Sequence, residues 1–204
     1  MPAKVYGEFN FNTENGLQET VQMNHRVNNL ERDLVEGCTR NDRIAQRELY
    51  YKYCTAMFST AYRILNDHEN AQDALQDAFI QVYRDISQFR GTSTLGAWIK
   101  TIVVRSALHI LRREKRLNLE MADGAYHHEM AVQIPEYMSS EYLEKAILSL
   151  PDGCRTVFLL IEVEGYTHAE VAKMLNVTSG TSKSQLFHAR LLLKQRLTMK
   201  TDQK

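Results

Sequence analysis

The sequence predicts an all-α protein, and three observations support this prediction. Its 204 residues include 9 glycines and 3 prolines, roughly 4% and 1.5% against usual values near 7% and 5%. Apolar residues recur at three- and four-residue steps through most of the chain, which is the period of an amphipathic helix. Capping residues stand where these periodic segments begin and end. At about 150 residues per domain, the length predicts one or two compact domains.

Two small helical domains joined by an acidic linker are the predicted architecture. We place an N-terminal arm without assigned function at residues 1–29, a first domain at 30–116, the linker at 117–138 and a second domain at 139–204. The arm shows no sustained periodicity. The linker is marked by composition, because residues 117–144 contain six acidic side chains and no Lys or Arg.

The first domain contains three predicted helical segments. One begins near Leu30 and is broken at residues 66–69, where Asp67 is a candidate N-cap for the next. The second segment has an apolar stripe of Ala71, Ala74, Leu75, Ala78, Phe79, Val82 and Ile86. Residues 89–94 interrupt the helical period with a glycine and hydroxyl side chains, which predicts a loop. The third helix follows from about Leu95.

The second domain ends in a predicted helix-turn-helix unit. Thr167 and Glu170 fit a capping box at the start of one helix. Residues 176–178 form a tight turn, and a longer helix starts near Ser179. Its buried stripe is Leu186, Ala189, Leu193 and Leu197. Two helices joined by a turn of about three residues are typical of this DNA-binding unit.

The charges cancel in total but are segregated along the chain. The 25 basic and 25 acidic residues give a formal net charge of zero. Residues 84–116 nevertheless hold eight basic and two acidic residues, and residues 171–201 hold six basic residues and no acid, so each segment carries +6. Clustered cations gain affinity for backbone phosphates by counterion release. The distribution predicts nucleic-acid contact at two places, with a solvated helix face as the alternative for each.

Candidate DNA-contacting side chains occur in both basic segments. In the last helix they face away from the apolar stripe, near the N-terminal half that recognition helices present to base edges. These are Lys183, Ser184, Phe187, His188 and Arg190. In the first basic segment, an aromatic ring and hydroxyls in the loop can hold an unstacked base while the basic helix follows its backbone. These candidates are Phe89, Arg90, Thr92, Ser93, Arg105, Arg112, Arg113, Lys115 and Arg116. Trp98 lies on an apolar stripe and is assigned to the core.

Several short motifs also follow one another with a characteristic spacing. Residues 71–79 (AQDALQDAF) contain the pattern AxDxxQxxF, and residues 89–99 run from Phe-Arg-Gly to Ala-Trp-Ile. Further matching stretches lie at residues 150–155, 165–166, 170–172 and 180–184. In this order, over about residues 30–200, the motifs resemble the small bacterial sigma factors of the extracytoplasmic-function (ECF) group within the sigma-70 family.

The resemblance implies an alternative sigma factor that binds core RNA polymerase, directs it to promoter DNA and helps to open the duplex, without chemistry of its own. The first domain would be a region 2 bundle that captures a flipped base of the minus-ten element. The second would be region 4, reading the minus-thirty-five element. Asp73, Gln76 and Asp77 would meet basic helices of the polymerase, with favourable charge at a helix N-terminus as the alternative explanation. An anti-sigma factor is a further candidate partner.

No cofactor, metal or catalytic residue is expected, and the location is expected to be cytoplasmic. The longest apolar runs, such as residues 157–161, fall far short of the roughly 20 residues that cross a bilayer, so stable membrane insertion is not expected. Cys38, Cys54 and Cys154 fit no zinc or thioredoxin-like spacing and are expected to be reduced and mostly buried.

Two other classes of function are alternatives. A stand-alone helix-turn-helix regulator would use residues 139–200, but it would leave the acidic helix and the loop before Trp98 without a role. A metal enzyme is suggested by His-His-Glu at residues 127–129 and His-Ala-Glu at residues 168–170. Neither has the histidine spacing of a zinc-binding helix, and the second is explained by capping.

Overall fold

The computed structural model describes residues 30–114 and 140–198, and the regular structure in these ranges is helical. Helix α1 covers residues 30–39. The others are α2 (Arg43–Leu65), α3 (His68–Asp85), α4 (Leu95–Arg113), α5 (Ser140–Leu148), α6 (Asp152–Phe158), α7 (His168–Leu175) and α8 (Ser179–Thr198). A 3₁₀ turn, Ile86–Gln88, follows α3, and a π-helical turn, Leu159–Val163, extends α6. The all-α prediction is confirmed. The predicted arm and linker, with Lys115 and Arg116, lie outside the described residues.

The helix ends of the first unit are set by local capping. Asn66 adopts a left-handed conformation with φ 51° and closes α2, while the Asp67 side chain accepts a hydrogen bond from the Asn70 amide at 2.9 Å. The predicted break and N-cap are therefore confirmed. One break was not predicted: Asn41, with φ 59°, separates α1 from α2, and the Asp42 carboxylate caps α2 at the Ile44 amide.

Helices α2, α3 and α4 pack against one another as a bundle. The predicted apolar stripe of α3 is buried throughout. Aromatic contacts join α2 to α3, with the Tyr50 and Phe79 rings 4.9 Å apart and the Tyr83 hydroxyl donating to the Gln46 carbonyl at 2.9 Å. Trp98 is half-buried against this core, in agreement with its assignment. The packing leaves the polar face of α3 and the loop after it at the surface.

The second unit contains the predicted helix-turn-helix. Thr167 and Glu170 form the capping box, with the Thr167 amide donating to Glu170 at 2.8 Å and the Glu170 amide donating to Thr167 at 3.3 Å. Asn176, with φ 56°, ends α7. Helix α8 begins at Ser179, and its predicted stripe is buried. Local sequence signals therefore located both helices and the turn between them.

The two units pack directly against each other. Buried apolar residues of both belong to one continuous cluster, and a second, smaller cluster joins α5, α6 and α8. The Arg155 guanidinium, with 2% of its side chain exposed, donates to the Ile64 carbonyl at the end of α2 at 3.2 Å. The Asn66 side-chain amide donates to the Leu148 carbonyl at 3.3 Å. These contacts join the end of α2 to α5 and α6.

Burial of the cysteines largely follows the expectation. Cys38 and Cys154 are buried, Cys54 is half-buried, and all three are free thiols. Burial, reinforced by the nearby Asp42 carboxylate, raises the pKa of Cys38 to about 11. Among the helices of residues 30–114 and 140–198, none has the length and hydropathy needed to cross a membrane.

Candidate nucleic-acid and polymerase interfaces

The polar face of α3 presents a row of exposed side chains. Asp73, Gln76 and Asp77 are all exposed, since they lie opposite the stripe that packs on α2 and α4. Within the described ranges, neither aspartate forms an ion pair with a basic side chain. Ile80 follows on the same face and is 57% exposed. Sequence reasoning missed this residue, although it stands outside the apolar stripe.

The loop between α3 and α4 forms one wall of an open cleft of about 580 Å³. Of the candidate residues in this loop, Phe89, Thr92 and Ser93 line the cleft together, whereas Arg90 is exposed but is not among its lining residues. Gly91 allows the chain to turn with φ 70°, a conformation that is unfavourable for other residues. The Phe89 ring packs 5.6 Å from the Trp98 ring, so the aromatic wall is anchored to the core.

The opposite wall of the cleft comes from α1. Glu31, Arg32 and Val35 line it, more than fifty residues before the loop. The Glu31 carboxylate accepts hydrogen bonds from the Tyr53 hydroxyl at 2.7 Å and from the Lys52 ammonium at 3.0 Å. The sequence carried no signal for this wall, because helical periodicity does not show which distant segments meet.

Basic side chains of α4 lie in a second, smaller cleft. Arg105 and Arg112 are two helical turns apart on one face, and they line a space of about 300 Å³ with Lys173 and Met174 of α7. Arg113 is exposed at the end of α4. The structure therefore groups Arg105 with Arg112, but does not bring either residue into the loop cleft.

The predicted contact residues of α8 differ in accessibility. Lys183 is exposed, whereas Phe187 and His188 are half-buried. Ser184 is also half-buried and donates from its hydroxyl to the Thr181 carbonyl at 3.0 Å. Arg190 forms a 2.5 Å ion pair with Glu162 of the π-helical turn. Packing of α8 against both α6 and α7 explains the limited exposure of this set.

Two polar contacts inside the second unit were not predicted. His168 and Ser182 lie 2.9 Å apart between ring nitrogen and hydroxyl, and the Cys154 thiol donates to the Gln185 side chain at 3.0 Å. Ser182 and Gln185 are buried, so these contacts satisfy polar atoms inside the unit. Burial lowers the pKa of His168, and Lys183 and Arg190 lower it further, against an opposing effect of Glu162.

The residues suggested for a metal site serve other purposes where they are described. Glu170 belongs to the capping box, and His168 contacts Ser182. Across residues 30–114 and 140–198, no three His, Cys, Asp or Glu side chains are grouped to hold a metal ion. The His-His-Glu sequence at residues 127–129 lies outside the described residues.

Comparison with known proteins identifies both units. Residues 49–117 match Sigma-70 region 2, and residues 140–193 match Sigma-70, region 4. The RNA polymerase sigma-H factor of Pseudomonas aeruginosa is 30% identical over 173 residues, which cover 78% of this chain and 90% of that protein. The ECF RNA polymerase sigma factor SigM of Mycobacterium tuberculosis is 29% identical over 161 residues, covering 79% and 81%.

One solved structure that matches this chain is the sigma factor RpoE in complex with the anti-sigma factor NepR from Bartonella quintana. It has 23% sequence identity and a TM-score of 0.49, and the match covers 76% of this chain and 97% of that one.

The region 2 match accounts for the half of the chain that a stand-alone helix-turn-helix regulator would leave without a role. Sigma factors are transcription initiation factors and not enzymes. With both regions present in order, and with relatives covered over nearly their full length, the chain belongs to the ECF sigma factors of the sigma-70 family, which bind core RNA polymerase and promoter DNA and direct transcription initiation.

Proposed function

We propose that this alternative sigma factor divides its work among three surfaces: the α3 face for polymerase, the loop cleft for the minus-ten element, and α8 for the minus-thirty-five element. The observation that carries this proposal is the loop cleft, in which an anchored aromatic ring and hydroxyl side chains line one wall of a space of about 580 Å³. That volume lies within the range of roughly 300–1,000 Å³ usual for ligand-binding clefts. The protein would act in the cytoplasm, where its partners are.

The α3 face suits a basic protein partner. Asp73 and Asp77 are exposed and, among the described residues, form no ion pair, so both carboxylates can be neutralised by cations of the polymerase. Complementary charge accelerates association and sets orientation. The exposed Ile80 would add an apolar contact to the same face.

The loop cleft suits a base that has left the duplex. An extruded base is held by stacking against an aromatic side chain and by hydrogen bonds to its edge. Phe89 supplies the ring, and Thr92 and Ser93 supply hydroxyls. Capture of a base in this way stabilises the melted minus-ten element. Arg105, Arg112 and Arg113, with Lys115 and Arg116 beyond the described residues, would follow the backbone.

Helix α8 would enter the major groove of the minus-thirty-five element. Lys183 is exposed near the start of the helix, where recognition helices meet base edges. Arg190 would exchange its ion pair with Glu162 for a DNA phosphate. An anti-sigma factor, as a further partner, would regulate the protein by covering one or more of these surfaces.

Promoter-directed transcription tests this assignment. Reconstituted with bacterial core polymerase, the protein should produce transcripts from defined starts on promoters selected from its own genome. The Phe89→Ala variant should retain polymerase binding but lose open-complex formation on those promoters. Tight, sequence-specific duplex binding without polymerase, together with no defined transcripts, would instead identify a stand-alone regulator.

A further inference from the structure

The cleft that we assign to the extruded base contains a carboxylate, which is an unusual group to place beside a polyanion. Glu31 lines the cleft from α1, and 21% of its side chain is exposed. The charge of Glu31 is paired with the Lys52 ammonium, and Arg32 also lines the cleft, so the carboxylate acts here chiefly as an acceptor for hydrogen-bond donors on a base edge. The carboxylate therefore favours a base that presents a hydrogen-bond donor.

Glu31 is held firmly enough to select among bases. The Tyr53 hydroxyl and the Lys52 ammonium both donate to the same oxygen, Oε1. An ionised carboxylate offers about four acceptor positions, so these two donors leave acceptor positions open, including those of Oε2. Burial alone would raise the pKa of Glu31, but the bonds from Tyr53 and Lys52 outweigh it and lower the pKa.

The Tyr53 ring, whose hydroxyl donates to Glu31, is itself tightly packed against α4. At Gly96, in the first turn of α4, an added Cβ atom would lie 3.1 Å from Cε1 of the Tyr53 ring. The absence of a side chain lets α4 approach the ring closely, which fixes the Tyr53 hydroxyl that holds Glu31. The start of α4, which directly follows the loop, therefore packs on the same Tyr53 side chain that holds the Glu31 carboxylate.

We propose that Glu31 determines base specificity in this cleft by accepting a hydrogen bond from an exocyclic amino group of the extruded base. Cytosine, adenine and guanine carry such a group and thymine does not. The single N–H on the pairing edge of thymine lies between two carbonyl oxygens, which a carboxylate repels. The proposal rests on the base-capture function proposed above, and it assigns a specificity role to a residue outside the loop.

The test measures binding of holoenzyme to single-stranded minus-ten oligonucleotides in which each position carries each of the four bases in turn. For wild type, one position should bind thymine about tenfold more weakly than the best base, the effect of one hydrogen bond to a charged group. In Glu31→Gln, whose amide can donate to a thymine carbonyl, that ratio should disappear or invert. Because the affinities for thymine and for the best base are measured on the same preparation, their ratio does not depend on the fraction of active protein.

Tyr53→Phe is the matched control, because it removes the anchor and keeps the carboxylate. It should reduce the discrimination against thymine without inverting it, because the carboxylate remains and is held by Lys52 alone. A uniform loss in Glu31→Gln, or an unchanged base preference, would show that Glu31 only positions the cleft and would overturn the specificity role. If wild type shows no base preference and Phe89→Ala binds normally, base capture itself fails, and the inference fails with it.

Discussion

Lys100 of α4 forms an ion pair with Glu164, the residue after the π-helical turn, with 2.5 Å between Nζ and Oε2. The two residues belong to different units of the chain. The Glu164 side chain is 9% exposed and that of Lys100 is 34% exposed, so solvent screens this pair less than most surface pairs. With the contact between Arg155 and Ile64, it fastens region 4 to region 2 in the described arrangement.

A double-mutant cycle on this pair measures the contact between the units. Lys100→Met, Glu164→Gln and the double variant should show a coupling free energy of about 1 kcal/mol in unfolding, the upper end for partly exposed pairs. The Glu141–Lys145 pair within α5 is an exposed control at 2.7 Å, and it should show about 0.3–0.5 kcal/mol. Zero coupling for Lys100 and Glu164 would contradict packing of the units in solution.

Local features of this fold were predictable, whereas contacts between distant segments were not. The capping residues Asp67 and Thr167 act within one turn of chain, so the sequence locates the helices that they begin. The contact of Arg155 with Ile64 joins residues 91 positions apart, and the period of either helix contains no information about it. The same reason explains why the loop at residues 89–94 was predicted and the α1 wall of the loop cleft, with Glu31, was not.

Removal of the buried guanidinium should destabilise the protein strongly. Arg155 donates to the carbonyls of Leu148, Leu150 and Ile64 and pairs with Asp152 at 2.5 Å. The Arg155→Met substitution leaves these acceptors without that donor, and we expect a loss of about 3 kcal/mol in the free energy of unfolding. Urea denaturation measures it.

Arg63 provides the matched control for Arg155. It pairs with Glu144 at 3.5 Å, and both side chains are exposed. Arg63→Met should therefore change the free energy of unfolding by less than about 1 kcal/mol. A similar small effect for Arg155→Met would show that water replaces its hydrogen bonds without cost.

Charge reversal on α3 should weaken binding to core polymerase. Asp73→Lys with Asp77→Lys replaces attraction by repulsion at two exposed positions, and we expect at least a hundredfold loss of affinity. Glu141→Lys, an exposed reversal in α5, is the control and should bind normally. Binding is measured by fluorescence anisotropy with labelled protein. Normal affinity of the α3 variant would remove this face from the polymerase interface.

The helix-turn-helix should lose stability in mild acid through His168. Burial, Lys183 and Arg190 lower the pKa of His168, while Glu162 opposes them. As the pH falls through about 6.5, the unfolded chain takes up a proton on this residue and the folded chain does not. The unfolded state then binds more protons, so the free energy of unfolding falls with pH in that window, and the effect is absent above it.

Comparison with His168→Asn isolates this contribution. The free energy of unfolding of wild type minus that of the variant should be constant above about pH 7.5 and should decrease towards pH 5.5. Urea denaturation across this range measures the difference. A difference that does not vary with pH would show that His168 titrates equally in the folded and unfolded states.

Lys183 should contribute to promoter binding chiefly through phosphate or base contact at the start of α8. Each phosphate contact contributes about 0.9 to the slope of log affinity against log salt concentration. Lys183→Ala in the holoenzyme should therefore lower the magnitude of that slope by about 0.9 on duplexes carrying the minus-thirty-five element. Lys145→Ala removes another exposed lysine of region 4, from α5, and should leave the slope unchanged. If Lys183 instead contacts a base edge, its loss should reduce the preference for one base pair by about 1–3 kcal/mol. A salt titration with matched and mismatched duplexes therefore distinguishes a phosphate contact from a base contact. Equal, small effects of both substitutions would place the DNA-contacting surface of region 4 away from the N-terminal half of α8.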